Sequence, residues 1–278
     1  MSSITFTILP PPEILKNDVE CFRVATYTEE EELAVRVCPN GFPGIVFQHD
    51  AGRSVIKNIV TQSGRVVSIP TLFLHGQVTE LTVMYFKAPF TTIQVILKPY
   101  ALKTLFGWDA SRLTNNSVGP DGFSGEELHA QLVTAVDDQE RILFFNDFLT
   151  VKLRQELLRD ELIERSIHLI RKDISSVTVE SLLGQIGLSE RQFERRFSQV
   201  VGVSPQFYLR VRRVNEAMRL MDTGQYERLT DVAYALNFHD QSHFIRDIKM
   251  FSGITPKSIS QKVNDFHRDQ VGSSYLYI

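Results

Sequence analysis

Apolar residues are spaced in two different ways along this chain. Up to about residue 97 they fall in short runs rich in β-branched and aromatic side chains: Ile4–Leu9, Glu20–Tyr27, Leu33–Val37, Gly44–Gln48, Val55–Thr61, Val66–Ile69, Leu81–Phe86 and Thr92–Leu97. Turn formers separate them, notably Pro10-Pro11-Pro12, Pro39-Asn40-Gly41, Ala51-Gly52 and Ser63-Gly64. Such side chains suit a pleated, half-buried surface, and many short strands at this spacing predict a barrel or double sheet. Helical spacing then takes over, at Tyr100–Phe106, Gly125–Val136 and Asp138–Arg154. Ile142, Phe145, Leu149, Leu153, Leu157 and Leu158 form a stripe that is either a dimer seam or an internal strut. Residues 155–162, QELLRDEL, are expected to continue helically into the second half.

The second half carries one pattern twice. Residues Phe193–Pro205 read FERRFSQVVGVSP and residues Phe244–Pro256 read FIRDIKMFSGITP, which places Arg195 on Arg246 and Gly202 on Gly253. Upstream, Leu182-Leu183 and Ile186-Gly187 match Val232-Ala233 and Leu236-Asn237 at a shift one residue shorter, so the second copy has an extra turn residue.

Each copy can be built from local chemistry. Val179, Leu182, Leu183 and Ile186 recur at helical steps, and Gly187 stands where a helix ends in a left-handed residue. Ser189 reads as an N-cap with Gln192 as the far half of a capping box, opening a helix that buries Phe193, Phe197 and Val200. In the second copy Leu229, Val232, Ala233 and Leu236 make the support helix, and Asn237 tolerates the left-handed turn. Asp240 caps a helix that buries Phe244, Ile248 and Phe251. Ser204-Pro205 and Thr255-Pro256 each read as an N-cap followed by proline at the first helical position. The helix after Pro205 runs to about Asp222 and would hold the two units at a fixed separation, as major-groove faces about 34 Å apart require.

At these residues the chain resembles the AraC/XylS family of transcription regulators. The run from Asn237 to Arg246, NFHDQSHFIR, followed by Gly253-Ile254-Thr255-Pro256, is close to that family's signature, and Gly187 to Phe197 fits the first half. Leu183 and Asn237 depart from it, standing where the family usually has a small residue and a glycine. The resemblance covers about residues 160–262 and implies base-facing positions at Arg191, Glu194 and Arg195 in the first unit. In the second unit it implies Gln241, Ser242, His243, Arg246 and Lys249. It also implies an α+β chain with a β-rich, cupin-like barrel domain with trailing helices at 1–155 and an all-α DNA-binding domain with two helix-turn-helix units at 160–265. Double-stranded DNA, RNA polymerase, a small-molecule effector and a second copy of the chain are the implied partners, in a bacterial, cytoplasmic activator. A looser resemblance links Cys38 to Phe47, CPNGFPGIVF, to a poorly characterised N-terminal domain found in some members.

Charge pulls against a DNA role. The chain has a formal net charge of −3, whereas DNA-binding domains are often strongly basic. The excess is uneven: residues 160–268 hold 16 basic and 14 acidic side chains, so binding would lean on a few placed arginines. Its 278 residues allow two cores, and 2 cysteines suit a reducing compartment without a disulfide framework. No stretch approaches the length of a membrane span, and no secretory signal opens the chain. His49 and His75 stand apart, with only Glu80 near the latter, and no phosphate loop or nucleophile motif is present. His239 and His243 stand four apart, but His239 precedes the N-cap and leaves the shared face. The expectation is therefore no enzyme, no cofactor and no metal. The alternatives are a regulator that acts by protein contact alone, or a cupin-like metal-binding protein or enzyme.

Overall fold

Period-two alternation sorts the side chains of the first half onto the two faces of a sheet, and this sets the architecture. The computed structural model describes residues 4–50, 53–155, 159–224, 226, 228–261, 266–268 and 274–277. The chain begins with β1 (Thr5–Leu9), β2 (Val19–Tyr27), β3 (Leu33–Val37), β4 (Gly44–His49) and β5 (Ile56–Thr61). It continues through β6 (Val66–Val67), β7 (Leu72–His75), β8 (Thr82–Phe86), β9 (Phe90–Leu97), α1 (Ala101–Phe106) and β10 (Ser117–Val118). Helices α2 (Glu126–Thr134) and α3 (Asp138–Leu153) close this half.

Among the described residues the strands form two antiparallel sheets, ordered β1-β2-β9-β4-β7-β10 and, led by two C-terminal strands described below, β3-β8-β5-β6. The expected barrel is thus an open pair of sheets, compatible with a cupin-like arrangement. One face of the first sheet, with Phe22, Ile45, Phe47, Leu74, Ile93 and Val95, packs on Leu102, Leu105, Phe145 and Leu149 of the helices. Its other face sets Tyr27, Val46, Phe73 and Phe90 against Val35, Ile56 and Phe86 of the second sheet. Covered on both faces, the central strands are nearly all buried, whereas Tyr85 and Val66 of the second sheet look outward. Phe145 and Leu149 are fully buried in this core, so the α3 stripe is an internal strut there; Leu157 and Leu158 lie outside the described residues.

Among the described residues of the span 155–162, expected to be continuously helical, 155, 159 and 160 lie outside any helix. Helix α3 ends at Leu153 with Arg154 as its cap, and Asp160 accepts from the Ile163 N–H to open α4 (Glu161–Lys172). Asp160 also receives a two-pronged hydrogen bond from Arg196, at 2.8 and 3.0 Å. A residue that caps a helix and binds an arginine of another element favours a break over propensity alone. Residues 156–158 of that junction lie outside the described residues.

The second half then runs α5 (Val179–Ile186), α6 (Glu190–Val201), α7 (Pro205–Thr223), α8 (Leu229–Ala235), α9 (Gln241–Ser252) and α10 (Pro256–Gln261). Two strands follow, β11 (Phe266–Arg268) and β12 (Ser274–Tyr277), and β12 pairs antiparallel with β3 through Tyr275 opposite Val37. The C-terminal segment thereby extends the second sheet.

The halves are joined by polar contacts. Asp18, 1 % exposed, accepts from Thr104 at 2.5 Å and from Arg159 at 3.1 Å. Glu20 is held by both guanidinium nitrogens of Arg171 at 2.6 Å and by Lys98. Burial alone would raise the Glu20 pKa, but those two cations hold it down at about 2.

Candidate nucleic-acid interface

A helix can offer side chains to a groove only when its opposite face is firmly held. In α6 that face is Phe193, Phe197, Val200 and Val201, which pack with Ile163, Ile167 and Leu182. Arg191, Glu194 and Arg195 are left exposed, and together with Gln192 and Ser198 they line one shallow depression. The approach is set by the turn before it. Gly187 takes φ 71°, the left-handed value that costs a Cβ-bearing residue most, and Ser189 and Gln192 form a reciprocal capping box.

Helix α9 repeats the plan, burying Phe244, Ile248 and Phe251 and exposing Gln241, Ser242, Arg246 and Lys249. Asn237 takes φ 54° in its turn, so the residue that departs from the family pattern still supplies the left-handed geometry. Asp240 caps the helix by accepting from the His243 N–H at 2.7 Å, and this bond, with His239 beside it, holds its carboxyl below the usual range. His243 differs from the other seven predicted residues. It is half-buried, with Nε2 3.2 Å from Asp247 Oδ2 and its ring edge-on to Phe238. Ile245, which occupies in α9 the place of Glu194 in α6, is 39 % exposed and stands among the outward residues.

The connecting helix α7 binds both units through arginines that apolar periodicity does not reveal. Arg210 makes a forked pair with Asp247 of α9, at 2.7 and 3.2 Å. Arg213 donates to the Val177 carbonyl just before α5, at 2.7 Å. A signal for the first pair was present in the sequence. Asp247 interrupts the buried stripe of α9 and is 1 % exposed, and a carboxylate in that setting needs a cation.

A helix-turn-helix domain profile matches residues 182–262. The transcriptional activator RhaS of Escherichia coli is 31 % identical over 90 residues, covering 32 % of this chain and 32 % of its own length. RhaS of Citrobacter koseri is 33 % identical over 82 residues, covering 30 % of this chain and 29 % of its own. Residues 182–262 thus form a helix-turn-helix domain of the AraC/XylS type. The match spans about a third of the length of these AraC/XylS relatives. Residues 7–119 match a domain of unknown function, DUF6597, which includes the CPNGFPGIVF run. Among solved structures, ToxT from Vibrio cholerae with an unsaturated fatty acid bound aligns with TM-score 0.48 and 13 % identity, over 97 % of this chain and 99 % of that one. A second ToxT crystal form gives 0.47 and 13 %, over 86 % and 98 %.

Outside the AraC-type helices, Cys38, His75 and Glu80 line one cavity between the sheets, and His49 lies apart from it. Among the described residues no group of three or more His, Cys, Asp or Glu is placed to hold a metal. Cys38 is 2 % exposed at the end of β3, and burial pushes its thiol up to about 12, which leaves it unreactive at neutral pH. No described helix is long and apolar enough to cross a membrane.

Proposed function

We propose that this chain is a sequence-specific DNA-binding transcription regulator whose two units enter successive major grooves of one duplex. The observation that carries this reading is the equivalence of Arg195 and Arg246. Both are exposed at the same position of two helices that bury the same stripe, and one helix ties both units together. An arginine placed so can donate to the O6 and N7 of guanine, the commonest specific contact in the major groove. Arg191, Glu194, Gln241, Ser242 and Lys249 complete the reading set, and His243 supports it through Asp247 as much as it reads. We place the boundary between a sensor half, 1–155, and the DNA-binding half, 160–265, at the break after α3. RNA polymerase and a second copy of the chain are partners in the same reading.

Selection of genomic fragments by the purified chain, at a stated salt concentration, tests it. The expected outcome is a motif with two contacted segments about one helical turn apart, roughly 10 base pairs. Recovery of fragments without a shared motif would defeat the reading.

A further inference from the structure

Helices α6 and α9 are each 12 residues long and open at equivalent places, so every residue of one has a counterpart in the other. The buried stripes agree: Phe193 corresponds to Phe244, Phe197 to Ile248 and Val200 to Phe251. The outward faces differ. Glu190, Arg191, Glu194, Arg195 and Ser198 of the first unit correspond to Gln241, Ser242, Ile245, Arg246 and Lys249 of the second. Of these pairs only the arginine is shared. The first set balances its acids with its arginines, whereas the second carries Arg246 and Lys249 and no acid, so phosphates attract the second face more strongly.

The change from Glu194 to Ile245 alters the chemistry most. Ile245 is 39 % exposed, next to Arg246 and one helical turn from both Gln241 and Lys249, which are all exposed. It stands outside the apolar cluster that holds Phe244, Ile248 and Phe251. The other exposed apolar residue of α9, Met250, has a neighbour of its own, with Arg210 Nη2 3.5 Å from its sulfur. Single exposed apolar residues are common on protein surfaces, so exposure alone decides nothing. The position decides. Helix propensity favours lysine, glutamate or alanine over isoleucine there, and the fold does not bury this side chain. A β-branched residue in a helix has one strongly preferred χ1, so its methyl groups point in a set direction and lose little freedom on contact. Thymine alone presents an apolar group in the major groove, its 5-methyl. Glu194 marks the contrast, because an ionised carboxylate only accepts and suits the amino group of cytosine.

We propose that Ile245 determines specificity in the second unit by packing on the 5-methyl group of a thymine, at the base pair next to the guanine taken by Arg246. The reading set named above is polar throughout, and Ile245 adds an apolar contact to it. The neighbouring Arg246 and Lys249 carry positive charge that draws this face towards the duplex, which brings a short, stiff side chain within reach of the groove floor. The assignment rests on the DNA-binding reading given above and adds the base and the chemical group that are read.

The test removes the methyl group alone. In a fragment selected by the full chain, each thymine near the guanine whose preference Arg246→Ala relaxes is replaced in turn by deoxyuridine, and affinity is measured by competition at fixed salt. At one thymine the parent is expected to bind about fourfold more weakly, the scale of one buried methyl group. Ile245→Ala, its fold checked by circular dichroism, should bind the thymine fragment at least about fourfold more weakly and be indifferent to deoxyuridine there. At the same position the parent should prefer 5-methylcytosine to cytosine by a similar factor, and the variant should not. Insensitivity of the parent at every thymine tested, equal sensitivity in Ile245→Ala, or equal binding of cytosine and 5-methylcytosine by the parent would each overturn the proposal. A shared motif with an Arg246-dependent guanine but no methyl effect would remove Ile245 and leave the DNA-binding reading standing. Fragments without a shared motif would defeat both.

Discussion

The two helix-turn-helix units share one plan but are held in different ways. The first is buttressed by the N-terminal half. Its helix α6 packs on the turn at Ala110–Leu113, Arg196 reaches Asp160, and the Gly202 carbonyl accepts from Thr114 at 2.5 Å. The second depends mainly on α7, through the Arg210–Asp247 pair and the contact of Phe207 with Phe251, and it meets the N-terminal half where Gly253 lies against Leu81. The same local chemistry, repeated, can therefore produce one unit fixed to the N-terminal half and another held mainly by the connecting helix. A disturbance of the N-terminal half would reach the first unit through several contacts and the second chiefly through α7.

The largest expected effect breaks the suspension of the second unit. Replacing Arg210 by Ala leaves Asp247 buried without its forked partner, and removing one side of such a pair costs about 3 kcal/mol. Chemical denaturation should show that loss, and hydrogen exchange should place it in α8 and α9 with α5 and α6 retaining their protection. Equal loss of protection in both units would mean that they are not held independently.

The next effect separates the units by what they read. Arg195→Ala and Arg246→Ala should each weaken specific DNA binding by about 2 kcal/mol and relax preference at one base, the two bases lying about one turn apart. Competition binding against single-base operator variants measures this. Relaxation at the same base by both variants would contradict two separate units.

Much of this comparison is legible in the sequence. The capping box at Ser189, the caps at Asp240 and Ser204, and the left-handed Gly187 and Asn237 all depend on residues within a few positions of one another. What joins distant parts is not legible. Arg171 meets Glu20 across 151 positions, and Arg212 meets Asn40 across 172, and no periodicity records either pairing. The strand Leu72–His75 is absent from the expected set because its unbroken apolar run, Leu72-Phe73-Leu74, lacks the period-two alternation that marks a half-buried strand. The helix start at Asp160 is hidden for a different reason: it is marked by a tertiary contact with Arg196, which local propensity does not record. Of the candidate site, the outward residues followed from helical phase. The inward turn of His243 required knowing that Asp247 was buried beside it.

A smaller effect tests the attachment of the N-terminal half. The Glu20 carboxyl is depressed to about 2 in the folded chain, so its pairing stabilises fully above the unfolded value near 4.5. That contribution is lost as pH falls from about 4.5 to 2. Glu20→Gln should cost about 1.5 kcal/mol at pH 7, allowing for the partial exposure of Glu20 and Arg171. The gap between variant and parent should close across that window, followed by denaturation at several pH values. A gap that stays constant down to pH 2 would remove the ion pair as its cause.

The smallest effect concerns the two turns themselves. Gly187 and Asn237 take nearly the same left-handed conformation, at φ 71° and 54°, yet only the first is a glycine, which adopts it without strain. Gly187→Ala should therefore cost about 1 kcal/mol, the penalty of placing a Cβ against the following carbonyl in that region. Open space surrounds Gly187, so strain and not collision is the cause. Asn237→Gly should change stability by less than about 0.5 kcal/mol, because relief of the remaining strain is offset by the greater freedom glycine has in the unfolded chain. Thermal melts of the two variants provide the comparison. If Asn237→Gly proved as costly as Gly187→Ala, the asparagine side chain itself would be holding the second turn, and the two turns would differ in kind.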